Sequence, residues 1–323
     1  MFRDVRRRTV RKTARRNVIP KYAGEFAMVN GRLRNKLETL AYLRVMGAHD
    51  GLTATLSENA GFDAIWAGGL GISSSFRVAD AGLLTMTEFL NAAIQMRAAC
   101  DLPIIADVDA GFGDVNVVRR MVQLYEAAGI DAICIEDKQY PKRNSFRGGN
   151  ELEDPGVFAR KIAVAKAAQG GTEFMVIARL ESLIAGAGMD DALSRAELYH
   201  EAGADALLIH SRAAHAGEIR GFCERWQQTG RGAPVFCVPT TYADVTAREL
   251  SAMGISGIIY ANQAIRASTK AVTETLASIA KHDSSAEVES SMTTLGELFE
   301  LVGMNDVLGD TPWEGVPQLT GER

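Results

Sequence analysis

No stretch of the 323-residue chain approaches the roughly 18 uninterrupted apolar residues that a membrane-spanning helix needs. No apolar run near the N-terminus could serve as a secretion signal. The reading is therefore a soluble, cytoplasmic protein with no membrane partner. Cysteine is scarce as well. Cys100, Cys134, Cys223 and Cys237 lie far apart, and none forms a CxxC pair or stands beside a histidine at zinc-ligand spacing. That excludes a zinc module or a disulfide framework and leaves four small buried hydrophobes in a reducing compartment. A dinucleotide fingerprint is missing too, since "GGLGISSS" has glycines without the GxGxxG spacing.

Positive charge is scarce overall and unevenly placed. The net charge is -5, yet "MFRDVRRRTVRKTARR" carries eight basic residues against the single acid Asp4. Such an arm can contact nucleic acid, but on an acidic protein it reads as a solvated tail, so residues 1–30 are taken as a flexible arm without a nucleic-acid partner.

What the chain does have is 47% hydrophobic residues, enough for a large core, and a recurring phrase. "NAGFDAIW" at Asn59, "AAGIDAICI" at Ala127, "EAGADALLI" at Glu201 and, more faintly, "AMGISGIIY" at Ala252 each end a helical pattern on a glycine and start a β-branched run. Four further runs, "LRVMGAHDG", "LPIIADVDAG", "FMVIARLE" and "PVFCVPTT", bring the strands to eight, with amphipathic helices such as "VVRRMVQLYEAAG" between them. Apolar strands alternating with helices predict a closed (β/α)8 barrel over residues 31–282. Asp154 followed by Pro155 predicts a helix start. Residues 283–323 read as a linker, "HDSSAEVESS", a terminal helix, "TLGELFELVGM", and a frayed tail from Gly309.

In such a barrel the active site gathers at the C-terminal strand ends. Those ends carry Asp107 and Asp109, Glu136 and Asp137, Arg179 and Glu181, His210 and Ser211, Thr240 and Asn262. Asp107 and Asp109, two apart, would share a strand face, and with Glu136 they would gather three carboxylates suited to a magnesium ion or to structural ion pairs. Arg179 could dock an anion or only balance the acids. His210 could position an anion, transfer a proton or be a satisfied core residue. "GGLG" either offers backbone amides to a carboxylate or makes a tight turn. Lys142, Asn144 and Ser145 stand on a long loop, "IEDKQYPKRNS", which could reach across the mouth and exclude water.

These residues resemble the phosphoenolpyruvate mutase branch of the isocitrate lyase superfamily. "EDKQYPKRNS" is similar to the signature of that branch, and "MGAHDGLTA", "DVDAGFG", "IARLESLIAG", "LIHSR" and "YANQAIRA" match it in order and spacing over about Met46 to Ala280. The resemblance implies a magnesium-dependent interconversion of phosphoenolpyruvate and phosphonopyruvate in phosphonate biosynthesis. It implies a metal site of Asp80, Asp107, Asp109 and Glu136, acting mostly through waters. Trp66, Gly68, Gly69 and Leu70 would line the substrate site. Lys142, Asn144 and Ser145 would ride on a gating loop, Arg179 and His210 would hold the transferring group, and the assembly would be a homotetramer or dimer of dimers. The related phosphonopyruvate hydrolases resemble "PKxTS" in this loop, where Asn144 stands here, and the superfamily's carbon-carbon lyases carry a loop cysteine that this chain lacks. One departure is Gly68, where the mutases usually carry serine.

Overall fold

The computed structural model describes residues 31–304 and residue 307; the expected N-terminal arm and the frayed tail lie outside them. The chain runs α1 (Arg32–Thr39), β1 (Leu43–Ala48), α2 (Gly51–Asn59), β2 (Ala64–Ala67), α3 (Gly69–Ser75), α4 (Met86–Ala99), β3 (Ile104–Asp107), α5 (Val115–Ala127) and β4 (Ala132–Glu136). It continues through α6 (Pro155–Ala167), β5 (Met175–Leu180), α7 (Ser182–Ala185), α8 (Met189–Glu201), β6 (Ala206–Ile209), α9 (Gly217–Gln228), β7 (Val235–Cys237), α10 (Ala247–Ala252), β8 (Gly257–Tyr260) and α11 (Gln263–His282). The eight strands, all at the expected places, pair in parallel from β1 round to β8 and back to β1. The fold is a (β/α)8 barrel.

Local chemistry sets the joints. Gly61, Gly129, Gly203 and Gly254 all take positive φ, so each recurring glycine ends its helix in the left-handed region that other residues avoid. Asp154 caps α6 by accepting from the amides of Gly156 and Val157, with Pro155 in the first turn. Thr85 with Glu88, and Thr246 with Glu249, form capping boxes at α4 and α10.

Strand alternation splits the apolar residues into two cores. Leu43, Val45, Ala64, Trp66, Ile105, Cys134, Ile177, Leu208, Phe236 and Ile259 point inward and fill the barrel. The intervening residues, such as Ile65, Ile104, Ile133, Val176 and Leu207, pack outward against the helices. Helix α1 closes the lower end: Leu33 packs into the inner core, while Arg32 pairs with Asp131 at 3.0 Å and Arg34 with Asp205 at 2.7 Å, just before β4 and β6. The opposite end is left for chemistry.

The chain divides after Asp283 into a second compact unit. Its described part holds a 3-10 turn at Glu289–Ser291 and α12 (Leu295–Leu301), started by a Thr294 and Glu297 capping box. No helix among the described residues is long and apolar enough to cross a membrane.

Candidate active site

Alternation along the strands turns polar at the upper end of the barrel. Above Ile105, Cys134, Ile177 and Leu208 come Asp107, Glu136, Arg179 and His210, on the same inward phase and all buried. Neighbouring acids part company here. Asp137 is turned away from Glu136, accepting hydrogen bonds from Tyr199 (2.9 Å), Arg195 (3.3 Å) and the Glu181 amide (2.8 Å). Asp109 corrects the expectation of a shared strand face. β3 ends at Asp107, and Asp109 follows in a turn with φ of 49°, so the turn and not the pleat brings its carboxylate back to Asp107.

The loop after β4 stands on a short antiparallel stem. The Glu153 amide donates to Asp137 O, Lys138 bridges Leu152, and the Gln139 amide donates to Glu151 O. From this stem residues 140–150 reach over the barrel mouth. Lys142 lies 2.7 Å from Asp80 and 2.6 Å from Asp109, and Asn144 donates to Asp80 at 2.8 Å. Burial opposes charge on the Lys142 ammonium, but Asp109, Asp107 and Asp80 outweigh it and hold its pKa well above the usual lysine range.

Glu181, fully buried, ties the loop to the barrel. One carboxylate oxygen receives Arg179 Nε (2.6 Å) and faces His210 Nδ1 (2.7 Å); the other receives the Ser145 hydroxyl (2.8 Å) and lies 3.1 Å from the Lys138 ammonium. His210 Nδ1 is also 2.9 Å from Arg179 Nη2. Glu181 can only accept and the Arg179 guanidinium can only donate, so Nδ1 donates to Glu181 in one ring tautomer and accepts from Arg179 in the other. Burial lowers the His210 pKa, with Arg179 adding to the effect against Glu181, which favours the neutral ring. Burial raises the Glu181 pKa, but Arg179, His210 and Lys138 together hold it well below the carboxylate range.

The acids outnumber the cations. Asp80, Asp107, Asp109, Glu136 and Glu181 face Lys138, Lys142 and Arg179, five carboxyl groups against three buried cations. Neither oxygen of Glu136 receives a hydrogen bond, though one lies 3.5 Å from both Lys138 and Arg179, and Asp109 is met by the Lys142 ammonium at 2.6 Å. Burial pushes Asp109 up to about 7, with Asp107 and Glu136 adding to it against Lys142. Hard carboxylate oxygens in excess of the cations around them fit a divalent cation in kind. Among the described residues no group of three or more acidic, histidine or cysteine side chains is arranged to hold a metal ion directly, so waters would have to complete the set.

A cavity of about 60 Å³ lies at the centre. Most residues singled out from the sequence line it; Asp109, Asp137, Glu181 and Ser211 do not, and Asp109 instead meets the Lys142 ammonium. Trp66, Gly68, Gly69 and Leu70 form one wall, and the Gly69 amide donates to Asp107 at 3.1 Å. The sequence reading gave no role to Lys138, Glu181 or Arg143. Glu181 was legible as a strand-end acid two residues after Arg179; Lys138 and Arg143 carried no signal beyond their place in a charged loop.

Residues 33–280 match the family model described as phosphoenolpyruvate phosphomutase. The chain is 42% identical to a phosphonopyruvate hydrolase of Variovorax sp. (strain Pal2), over 85% of this chain and 94% of that protein. It superposes on a phosphoenolpyruvate phosphomutase structure from Streptomyces platensis subsp. rosaceus with a TM-score of 0.83 and 44% identity, covering 85% of this chain and 96% of the other. A phosphonopyruvate hydrolase solved in complex with oxalate and Mg2+ matches with a TM-score of 0.81 and 39% identity, covering 87% and 97%.

Proposed function

The chain belongs to the phosphoenolpyruvate phosphomutase family, and from that membership we propose that it interconverts phosphoenolpyruvate and 3-phosphonopyruvate by moving a phosphoryl group between the enol oxygen and carbon three. The observation that carries this reading is the loop after β4, which brings Lys142, Asn144 and Ser145 to the same small cavity as Arg179 and His210, with Ser145 accepting from Arg179 at 3.2 Å. In the forward direction the P–O bond breaks with its electron pair left on the enol oxygen, and carbon three of the resulting enolate bonds to phosphorus. The group in flight is loose and metaphosphate-like, so it must be held and kept from water.

Each residue takes a part in that task. Arg179 offers its guanidinium to the phosphoryl oxygens, anchored from behind by Glu181. Asn144 supplies a neutral amide that retains the group and delivers it, while Lys142 and Ser145 bring charge and a hydroxyl to the same face. His210, held at Nδ1 between Arg179 and Glu181, binds an anion through Nε2 when that nitrogen carries a hydrogen. The amides of Gly69 and Leu70 serve the pyruvate carboxylate, the former only when Asp107 releases it. Asp80, Asp107, Asp109 and Glu136 would hold magnesium, largely through waters, and the ion would supply neutralisation of substrate oxygens. The loop acts as a gate that excludes water.

The reading includes a cytoplasmic enzyme of phosphonate biosynthesis, with a product-consuming step downstream to draw the reaction toward phosphonopyruvate. It also includes assembly as a homotetramer or dimer of dimers, for which α11 offers exposed Val272 and Leu276. The likeness to the Variovorax hydrolase favours a second reading, cleavage of phosphonopyruvate to pyruvate and phosphate. Asn144, in place of the threonine of the hydrolase pattern, favours the mutase. Asn144→Ala is expected to abolish phosphoryl transfer, and full activity in that variant would remove the proposed role.

A further inference from the structure

Gly68 lies between β2 and α3 with φ of -86° and ψ of 136°, backbone angles open to any residue. It is also the N-cap of α3, where serine, threonine or aspartate would normally accept from a first-turn amide, and here no side chain does. Backbone freedom therefore does not call for glycine, and capping argues against it. Space does call for it. A Cβ at position 68 would stand 2.6 Å from both Cδ1 and Nε1 of Trp66, while the next neighbour, the Ala261 carbonyl, is at 3.7 Å. Those two atoms belong to a rigid ring close to its root, so only turning the whole indole would relieve the clash. Trp66 is buried among the inward residues of the barrel, and its Nε1–H donates to no protein group among the described residues. Both residues line the cavity.

We propose that Gly68 is a specificity-determining residue: it lets the Trp66 indole lie across position 68, so that the indole N–H takes the hydrogen-bonding place of the hydroxyl that a serine would supply. This rests on the function proposed above and deepens it. A hydroxyl both donates and accepts, whereas an indole N–H only donates and brings an apolar wall with it. The site then suits a substrate that presents acceptor oxygens at this point, as a 2-oxo acid or its enolate does. It offers less to the 2-hydroxy analogue, whose own donor would have to reach past the indole to the Ala261 carbonyl.

The test uses the full chain with oxalate and magnesium as the probe, read by calorimetry, and near-ultraviolet circular dichroism of the free protein for ring orientation. Trp226 and Trp313 are unchanged in every variant, so differences report Trp66. Gly68→Ala and Gly68→Ser are both expected to change the indole band and to weaken oxalate about tenfold. Trp66→Phe keeps an aromatic wall but loses the donor, and should weaken oxalate about tenfold as well, the value of one hydrogen bond to a charged group. An unchanged indole band in Gly68→Ala would overturn the claim that glycine admits the ring, and wild-type oxalate affinity in Trp66→Phe would overturn the role of the N–H. Should Gly68→Ser fail to fold, Gly68→Ala and Trp66→Phe still decide. Absence of phosphonopyruvate turnover by the wild type would count against the proposed reaction alone, because ring orientation and oxalate binding are read without turnover.

Discussion

Glu181→Gln changes almost nothing in shape at a fully buried position, yet it removes the acceptor capacity of one side. In the native arrangement one oxygen faces Arg179 and His210, and the other faces Ser145 and Lys138. A glutamine has one oxygen, so its NH2 must confront one of these donor pairs whichever way it turns. The charge is lost as well, leaving Arg179 and Lys138 to share Glu136 at 3.5 Å each. Breaking a buried pair in this way costs about 3–5 kcal/mol. For a barrel of this size that corresponds to a fall of roughly 10 °C in the unfolding midpoint. Arg179 would lose its nearest anchor and Ser145 its tie to the barrel, so kcat should drop by about 100-fold, as expected when a positioning contact is lost near reacting atoms. Thermal unfolding and steady-state kinetics on the purified variant measure both. A stability loss under about 1 kcal/mol together with native turnover would refute the picture of Glu181 as the joint between loop and barrel.

Other outcomes follow from the same geometry. Leu33→Ala, at the lower plug and only 1% exposed, should cost about 2–5 kcal/mol in denaturant unfolding while leaving KM unchanged, because the plug lies at the end of the barrel opposite the site. Asp109 is raised from 3.8 to about 7, so the folded protein holds its proton more tightly than the unfolded chain; the stability this gives is present below about pH 4 and lost as pH rises through 7. A cation needs the carboxylate, so magnesium affinity should rise with pH through 7 and binding near pH 6.5 should release a proton, measurable by calorimetry in buffers of different ionisation enthalpy.

Much of this arrangement was legible in the sequence because it rests on short-range rules. Glycines at 61, 129, 203 and 254 mark helix-to-strand joints through their left-handed angles, and apolar runs after them mark the strands. Alternation then selects Asp107, Glu136, Arg179 and His210 as the inward layer. Where the chain leaves a regular strand the rule fails. Asp109 itself takes a left-handed φ to reach its place, and Asp137, a strand-end acid like Glu136, serves an outer network with Arg195 and Tyr199. Asp80 stands in the connection before α4, and only resemblance to a family pointed to it. The stem under the loop pairs Lys138 with Leu152, a contact between residues far apart in sequence that no local pattern encodes. Only the family resemblance marks Gly68 as a missing hydroxyl, and its steric reason appears when the Trp66 ring is seen across it.

The central claim is the fate of the phosphoryl group, and phosphorus NMR of the purified protein with phosphonopyruvate and magnesium follows it directly. The account predicts that the carbon-bound phosphorus signal gives way to that of phosphoenolpyruvate with no inorganic phosphate formed. Inorganic phosphate appearing from the outset, in step with pyruvate, would contradict it and make the protein a hydrolase.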